Sequence, residues 1–367
     1  MKEKEFNERL QLDDEMIQDE VIEKTLKKSM RKQINGRIYR TLLLILVGTI
    51  AFLWGTSLFL DSVFYDPSKR SPYLEDDLEY TEFHLLMDIY VGLNFPGRIY
   101  IPIFDAEESK GFGAYEIPAK LHNVGEYLVF DGRATTVFEV KRNRLEMDDV
   151  LDATNLVIEI DQFINDRNIG ESKEYLKDMY GITPEKIEKI KQLPDSAVIK
   201  VMLSFPRTLT MEQTLDFMKN YPESNFWWIG IDTDEFFVKG VYDGINLQQT
   251  MGYGLTKECK EKYPSLMLYE DVRKYTAEEL AECYRSRIQI LLDNPDFLNM
   301  MLRSLGDPIN VERKKQVLEN RLGEATLGPR SIGVCASVTK QDFLDMIEQG
   351  TVKYVNIKDV KVSQWSK

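Results

Sequence analysis

The stretch "TLLLILVGTIAFLWGTSLFL", Thr41–Leu60, contains no charged side chain across twenty residues. An α-helix rises about 1.5 Å per residue, so a helix of this length covers roughly 30 Å, the thickness of the hydrocarbon core of a bilayer. A buried core helix rarely runs this far without a charge, and a cleaved signal peptide rarely follows a polar leader of forty residues. The stretch therefore predicts a transmembrane helix that stays in the mature chain.

The residues that flank this stretch predict its orientation. Residues 24–40 carry basic side chains and no acidic one, whereas Asp61 and Asp66 are the first charged residues on the other side. Lys and Arg are retained on the cytosolic side of a membrane span. We therefore expect a single-pass protein of the cell membrane with a cytosolic N-terminus and an extracytoplasmic C-terminal part. Gly48, Ala51 and Gly55 offer a small-residue face for a homodimer, although glycine is common in membrane helices for other reasons.

The forty-residue leader has an acidic block, residues 1–23, followed by the basic block, residues 24–40. Apolar residues recur near helical spacing through both blocks, which predicts an amphipathic cytosolic helix. Its apolar side either rests on lipid headgroups or binds a groove of a protein partner. The acidic block favours a protein with a basic groove, because an anionic membrane surface repels it. The predicted partner-binding residues are Phe6, Leu10, Ile17, Val21, Ile22, Leu26 and Met30.

The chain after Leu60 is long enough to form one large or two small domains. The net charge of −14 lies mostly in this part and argues against nucleic acid or anionic lipid as its direct partner. The sequence divides into a leader (1–40), a transmembrane helix (41–60), a spacer (61–82), a β-rich and then mixed region (83–193) and an α+β C-terminal domain (194–367).

The region after residue 83 contains aromatic and β-branched runs that are separated by Gly and Pro and are typical of strands. The runs are "LLMDIYVGLNF", "GRIYIPIF", "GAYEIPAKL" and "EYLVFDGRATTVFEVKR". A helix is predicted in "TPEKIEKIKQL", with Thr183 as its N-cap and Pro184 at the first helical position.

Two strand–helix–strand patterns follow Pro194. In the first, "SAVIKVMLSF" and "NFWWIGID" flank a helix that Thr210 and Gln213 begin as a capping box. In the second, "SIGVCASV" and "VKYVNIKDVKV" flank a helix that runs from Thr339 to Gly350. The segments "TAEELAECYRSRIQILLD", "NPDFLNMMLRSL" and "NVERKKQVLENRL" between them predict helices. The repeat predicts an α+β fold with a split βαβ, ferredoxin-like sheet, in which Trp227 and Trp228 are core residues.

The composition leaves little material for catalysis, so we expect no enzyme, cofactor or metal. His84 and His122 are the two histidines of the chain, too few for a multi-histidine metal site. Ser29 and Lys32 match S-x-x-K only within the leader, and "GYGLTK" lacks the spacing of a phosphate loop. Of the three cysteines, Cys335 lies in an apolar run, and a disulfide between Cys259 and Cys283 stays open.

The run "SAVIKVMLSFPRTLTMEQTLDFM", then "FWWIGIDT" and "SIGVCASVTKQDFLDMI", resembles the C-terminal domain of the sigma factor regulators of Gram-positive bacteria. The leader and the apolar stretch resemble the N-terminal part of the same family. The resemblance implies a membrane anti-sigma factor whose cytosolic part binds an extracytoplasmic-function sigma factor. The leader contains neither His nor Cys, so it lacks the zinc ligands of the zinc-containing anti-sigma class. It is also short for enclosing a sigma factor, which leaves a place for a second membrane protein.

Two alternatives compete with this interpretation. One is an anchored scaffold or binding protein of the cell envelope, and the other, weaker one is an anchored extracytoplasmic enzyme. The leader distinguishes the regulator from both, because only the regulator requires its apolar residues to bind a cytosolic protein.

Overall fold

The computed structural model describes residues 2–75, 80–103, 108–123, 136–147, 181–232, 244–247, 254–304 and 311–362. For residues 2–23, and for a few residues at the ends of later elements, it describes the backbone alone. The chain forms two compact units, Met1–Leu60 and Asp61–Lys367.

The first unit is a helix. Helix α1 spans Lys2–Val63, and its last turn, from Asp61, belongs to the second unit. One segment of it, Lys24–Val63, is long and apolar enough to cross a membrane, with a mean hydropathy of 2.2 over its most apolar window and no burial within the protein. The hydroxyls of Thr49 and Thr56 donate to the carbonyls of Ile45 and Phe52, at 2.8 and 2.7 Å, so these two side chains satisfy their own donors.

The second unit begins with helix α2, Glu82–Asn94, where the sequence predicted a strand. This prediction was wrong because the run "LLMDIYVGLNF" is apolar on every side, and a short apolar run has no period that separates a buried helix from a buried strand. All but one of the thirteen residues of α2 are buried. The helix therefore lies in the centre of the unit.

A five-stranded antiparallel sheet follows α2, with strand order β1-β3-β4-β5 and β2 paired to β3. The predicted strands "GRIYIPIF" and "GAYEIPAKL" are confirmed as β1 and β3. The strand "TTVFEVKR" contributes β4, whereas its predicted beginning, "EYLVFDGRA", lies outside the described residues. The strands are β1 Arg98–Pro102, β2 Glu108–Gly111, β3 Ala114–Asn123, β4 Thr136–Lys141 and β5 Leu145–Met147.

The second sheet is antiparallel throughout, in the order β10-β6-β9-β7-β8. Both predicted strand–helix–strand patterns are confirmed, and the C-terminal region is therefore α+β. The elements are β6 Ala197–Thr210, α4 Met211–Lys219, β7 Asn225–Ile231 and β8 Gly244–Asn246, then β9 Arg330–Thr339, α9 Lys340–Glu348 and β10 Tyr354–Val362.

The predicted helix ends are confirmed at atomic detail. Thr210 Oγ1 accepts from the N–H of Gln213 at 3.2 Å, and the Gln213 side chain accepts from the N–H of Thr210 at 3.1 Å. Thr339 caps α9 through the N–H of Asp342, and Gly350 follows the helix with a positive φ of 64°. Thr183 caps helix α3, Pro184–Lys191, as predicted.

The described residues between the two patterns form four further α-helices. Helix α6 begins with a capping box of Thr276 and Glu279. Helices α6, α7 and α8 confirm the three helices predicted between residues 276 and 323. The elements are α5 Lys257–Lys262, a 3₁₀ turn at Val272–Lys274, α6 Ala277–Leu292, α7 Pro295–Ser304 and α8 Val311–Thr326.

The core joins regions that the sequence analysis separated. One hydrophobic cluster contains residues of α2, both sheets and α6–α9, so the predicted boundary at residues 193 and 194 does not divide two cores. The predicted spacer, residues 61–82, is also part of the fold, since Tyr65 and Leu74 are buried in that cluster. Polarity and two prolines suggested a linker, but the apolar residues between them pack inward.

The predicted core positions of Trp227 and Trp228 are confirmed, with 2% and 1% of each residue exposed. The indole N–H of Trp228 donates to the carbonyl of Gly92 in α2 at 2.9 Å. Gly244 in β8 lies against the Trp228 ring, where a Cβ atom would stand 1.9 Å from the nearest ring carbon. A glycine is therefore required at this position by close packing rather than by backbone conformation.

Candidate functional site

The predicted partner-binding residues all lie on α1. The side chains of Phe6, Leu10, Ile17, Val21 and Ile22 are outside the described part of the chain. Those of Leu26 and Met30 are described and are 56% and 58% exposed. Ile34 and Ile38 extend this row at steps of four, at 51% and 50% exposure. The described part of the row, Leu26 to Ile38, is thus an exposed apolar surface on the first unit.

The same segment of α1 carries most of the basic residues of the leader. Its basic side chains are all exposed, and the last of them, Arg40, directly precedes Thr41. The residues are Lys24, Lys27, Lys28, Arg31, Lys32, Arg37 and Arg40. Helix α1 therefore combines a basic surface, an apolar row and a membrane-length apolar segment in one element.

In the second unit, the thiols are poorly placed for nucleophilic chemistry. Cys259, Cys283 and Cys335 are buried and unpaired in the structure, so the disulfide between Cys259 and Cys283 is not formed. Burial raises the pKa of the Cys259 thiol to about 11 and also raises those of Cys283 and Cys335. A protonated, buried thiol is a weak nucleophile and a weak metal ligand.

Histidine and carboxylate groups form no recognisable metal site in the described part of the chain. No three His, Cys, Asp or Glu side chains come together there as metal ligands. His84 is 1% exposed, and its Nδ1 lies 2.8 Å from the hydroxyl oxygen of Tyr100. The side chain of His122 is not among those described. His84 therefore forms a buried hydrogen bond within the core.

A first cleft, about 380 Å³ in volume, opens where α8 meets the start of β9. Arg321, 2% exposed, lies on its inner wall, and Arg330 binds the hydroxyl and carbonyl oxygens of Thr208 on its rim. Asp232 and Glu324 also line it, so its charges are mixed. Mixed charge gives no clear preference for one ligand class.

A second cleft, about 460 Å³ in volume, is lined by the residues that directly follow the apolar segment. We call it the acidic cleft. Five carboxylates line it, from Asp61, Asp66, Glu82, Asp293 and Asp296, together with the Lys69 ammonium group. Phe64, Tyr65 and Phe297 supply aromatic rings.

Most carboxylates of the acidic cleft are held by the protein itself. Asp61 accepts from the N–H of Gly113 at 2.7 Å, and Asp66 accepts from Ser68 at 2.6 Å. Asp293 accepts from the hydroxyl of Tyr263 and from the Lys262 ammonium group, both at 2.7 Å. These hydrogen bonds fix three negative charges around the cleft.

The negative potential of the cleft is visible in a neighbouring phenol. Burial, together with the charges of Asp66 and Asp61, raises the pKa of Tyr115 to about 12. Burial and the nearby Asp296 also raise the pKa of Glu82, although Lys69 acts in the opposite direction. The charges of Asp66 and Asp61 therefore disfavour a further negative charge at the Tyr115 hydroxyl, whereas at Glu82 the charge of Lys69 acts more strongly than that of Asp296.

Comparison of the chain with protein-family models, with curated proteins and with solved structures gave no match.

The acidic cleft could not be predicted from the sequence. Its carboxylates come from three segments, residues 61–66, residue 82 and residues 293–296, and only folding brings them together. In a chain with 61 Asp and Glu residues, each of them is by default a solvated surface group. The one available signal was the pair Asp293 and Asp296 around Pro295 at the start of a predicted helix.

Proposed function

We propose that the protein is a membrane-tethered anti-sigma factor. In this proposal the cytosolic leader, residues 1–40, binds an extracytoplasmic-function sigma factor, and the second unit is the extracytoplasmic regulatory domain. The observation that carries the proposal is the order of surfaces along α1. The exposed apolar side chains of Leu26 and Met30 lie on the exposed basic segment, residues 24–40, which the acidic block precedes and a membrane-length apolar segment follows.

The orientation within this proposal follows from charge. The basic segment precedes the apolar one, and Asp61 and Asp66 follow it. Placing the basic side in the cytosol agrees with the distribution of Lys and Arg around membrane spans. The acidic cleft then lies outside the cell, beginning at the first residue after the span.

Exposure of Leu26 and Met30 supports a role in binding. Large apolar side chains arranged in a row on an exposed helix are the anchors by which such helices occupy a groove of a partner. A short helix buries less surface than a complete anti-sigma domain does. For this reason the proposal includes a second membrane protein as a co-partner and leaves room for a homodimer through α1.

We also propose that the second sheet is a split βαβ arrangement of the ferredoxin-like kind, extended by β8. Strands β6 and β7 are joined through α4, and β9 and β10 through α9. In the sheet, β9 lies between β6 and β7, and β6 lies between β10 and β9. This alternation, with every neighbouring pair antiparallel, is what two interleaved βαβ units produce. The resemblance to sigma factor regulators covers these same strands and helices.

The proposal is tested by substitutions in the leader. Replacing Leu10, Ile17 and Val21 by Asp places charges on the apolar row, and we expect the sigma factor to be released and transcription of its target genes to rise. The matched control is Asn7→Asp with Gln11→Glu and Gln18→Glu, which adds the same charge but keeps the apolar row. Unchanged transcription in the apolar-row variant, at normal protein level in the membrane, would contradict the proposal.

The envelope-binding scaffold is the second candidate, and the acidic cleft is the observation that favours it. A scaffold would use this cleft and leave the leader as an anchor. Under that function, the apolar-row substitutions would leave transcription unchanged, whereas loss of the second unit would remove the envelope partner. Neither candidate includes a catalytic reaction.

A further inference from the structure

The basic segment of α1, residues 24–40, contains an internal signal for the end of a helix. Asn35 and Gly36 form an Asn-Gly dipeptide, which is typical of turns, and both residues are poor helix formers. Arg31 and Lys32 precede this dipeptide, and basic residues favour the last turn of a helix. The helix of the structure nevertheless continues through the dipeptide without a break. The local sequence and the observed helix therefore disagree at Gly36.

No packing within the described part of the chain supports a straight helix at this point. Gly36 is exposed, and a Cβ atom added there would meet no atom within 4 Å beyond the adjacent residues and the backbone of the helix itself. Glycine weakens a helix relative to alanine, and sharp bends of helices are found at such residues. Helix α1 can therefore bend at Gly36 at low cost, between residues 24–35 and the last turn before the apolar segment. We call residues 24–35 the outer half of the basic segment.

The outer half has the surface of a helix that lies on a membrane. An apolar row runs along one side at steps of four, and each of its side chains is at least half exposed. Basic side chains are exposed on another side of the same helix, among them Lys28, Arg31 and Lys32. This division into an apolar and a basic side is typical of helices that rest in the headgroup layer of a bilayer. The apolar row consists of Leu26, Met30 and Ile34.

A straight α1 keeps these charges away from the membrane surface. Lys28 and Lys32 lie roughly 18 and 12 Å further along the helix axis than Arg40, at about 1.5 Å per residue. At physiological ionic strength an exposed charge is largely screened beyond about 8 Å. A bend at Gly36 brings the basic side chains of the outer half to the headgroups. Each Lys or Arg near an anionic surface strengthens the attachment about fivefold.

Charge and continuity indicate which surface covers the apolar row. The basic segment continues directly into the apolar segment that begins at Thr41, so the nearest surface is the leaflet that the helix enters. The basic segment contains no acidic residue, and its charge is complementary to anionic lipid headgroups. The same headgroups repel the acidic block, residues 1–23. Attachment is therefore favoured for the outer half and disfavoured for the part of the leader that precedes it.

We propose that α1 bends at Asn35 and Gly36 and that its outer half lies on the anionic cytosolic leaflet, with the apolar row at the boundary of headgroups and acyl chains. The inference rests on the membrane anchoring and the cytosolic leader of the proposed function, but not on the sigma factor. The acidic block stays in the cytosol and remains available to a protein partner. The leaflet and that partner would compete for Leu26 and Met30, so the lipid charge of the membrane would regulate binding.

The test measures the depth of a nitroxide label on the full chain with Met30→Cys, reconstituted into vesicles. One kind of vesicle contains phosphatidylcholine alone, and the other contains phosphatidylcholine and phosphatidylglycerol in equal amounts. The three native cysteines are buried, so the label attaches at the introduced thiol. Electron paramagnetic resonance compares relaxation of the label by oxygen and by a water-soluble nickel complex on both sides of the membrane. We expect the label to lie within the anionic vesicles and in water on the neutral ones.

Charge removal separates attachment to lipid from a general effect of net charge. Lys28→Gln, Arg31→Gln and Lys32→Gln in combination should weaken the attachment about a hundredfold and return the label to water. The matched control removes the same charges from exposed positions of the second unit and should leave the depth of the label unchanged. It combines Arg207→Gln, Lys219→Gln and Lys260→Gln.

Two further variants test the bend. Asn35→Ala with Gly36→Ala favours the straight helix and should weaken the attachment about tenfold, because alanine is the best helix former. Gly36→Pro breaks the helix at the same place and should keep the label in the anionic membrane.

The proposal is overturned if the label has the same depth in both kinds of vesicle. It is also overturned if the Lys and Arg substitutions act no more strongly than their control, if the alanine pair leaves the depth unchanged, or if Gly36→Pro releases the label. Removal of the chain from both kinds of vesicle by an alkaline wash would instead contradict the membrane anchoring, and with it this inference. Because the vesicles contain no sigma factor, the result does not depend on sigma-factor binding.

Discussion

The region around Trp228 and the acidic cleft belong to the same folded unit, but they differ in packing and in the partners of their polar groups. The Trp228 indole N–H donates a hydrogen bond to the carbonyl of Gly92 at 2.9 Å, and its ring packs directly against Gly244, where a side chain would not fit. In the acidic cleft, five carboxylates line a volume of about 460 Å³, and the Glu82 carboxylate among them interacts with the charge of Lys69 rather than through a hydrogen bond that the structure describes.

Trp228 and Gly244 maintain the fold through close packing, whereas the carboxylates of the acidic cleft border a space that side chains do not fill. Around Trp228, every change of volume must be absorbed by a close-packed interior. In the cleft, a change of charge alters which ions are attracted, while the surrounding fold stays in place. The cleft also contains its own internal comparison, because Asp293 accepts hydrogen bonds from Tyr263, Gln289 and Lys262, whereas Glu82 is influenced by the charge of Lys69 without a described hydrogen bond to its carboxylate.

The largest effect is expected at Gly244. Gly244→Ala places a Cβ atom 1.9 Å from a carbon of the Trp228 ring, so β7 and β8 must separate. We expect a loss of about 3 kcal/mol in the free energy of unfolding, at the upper end of the cost of overpacking a core. Thermal unfolding of the full chain in detergent, followed by tryptophan fluorescence, measures it as a decrease in Tm. The matched control is Gly323→Ala in α8, where no atom beyond the adjacent residues and the backbone of the helix itself lies within 4 Å of the added Cβ, and a small stabilisation is expected. Equal Tm values for the two variants would contradict this account of the Trp228 packing.

A smaller loss is expected at Asp293. Burial raises the pKa of this carboxyl, but hydrogen bonds from Lys262, Tyr263 and Gln289 lower it by more, so its pKa is below the ordinary value. A carboxyl with a lowered pKa in the folded state stabilises the protein above its unfolded pKa of about 4, and this contribution is lost as the pH falls through its folded pKa. Asp293→Asn should therefore cost about 1 kcal/mol at pH 7, because the pair with Lys262 is partly exposed to solvent. Denaturation curves of variant and wild type should converge on acidification, and a constant difference down to pH 3 would refute the assignment.

The smallest effect, of opposite sign, is expected at Glu82. Burial raises the pKa of this carboxyl above its ordinary value, so the ionised form costs stability at neutral pH, and stability rises as the pH falls through the folded pKa. Glu82→Gln removes this cost but also a favourable interaction with the dipole of α2. We expect a net gain of about 0.5 kcal/mol at pH 7, measured by the same denaturation experiment. A clear loss of stability would show that the carboxylate serves the fold rather than a ligand.

The local elements of the fold could be predicted because their signals are local. Thr210 with Gln213, and Thr339 with Gly350, mark helix ends within a few residues, and the alternation of apolar runs around them gave the order of elements in the C-terminal region. Helix α2 was predicted as a strand because its sequence lacks such a local signal. Its apolar residues cover the whole helix, so the sequence contains no polar face from which a period of 3.6 could be read.

The candidate sites differ in how far the sequence could predict them. The leader was visible because charge and apolar residues alternate along one continuous segment. The acidic cleft was not, since Glu82 and Asp296 are more than two hundred residues apart and meet only because α2 and α7 both begin beside the segment that follows Leu60. This segment was predicted to be a spacer, because the burial of Tyr65 and Leu74 depends on residues elsewhere in the chain that the local sequence does not reveal.

The most direct test of the central claim is mild solubilisation of membranes that contain the tagged full chain, followed by identification of the proteins that co-purify with it. A form that lacks residues 1–23 is purified in parallel as the comparison. The account predicts an extracytoplasmic-function sigma factor that co-purifies with the full chain and is lost with the deletion. Recovery of envelope components alone, equally from both forms, would contradict the anti-sigma proposal and favour the envelope-binding scaffold.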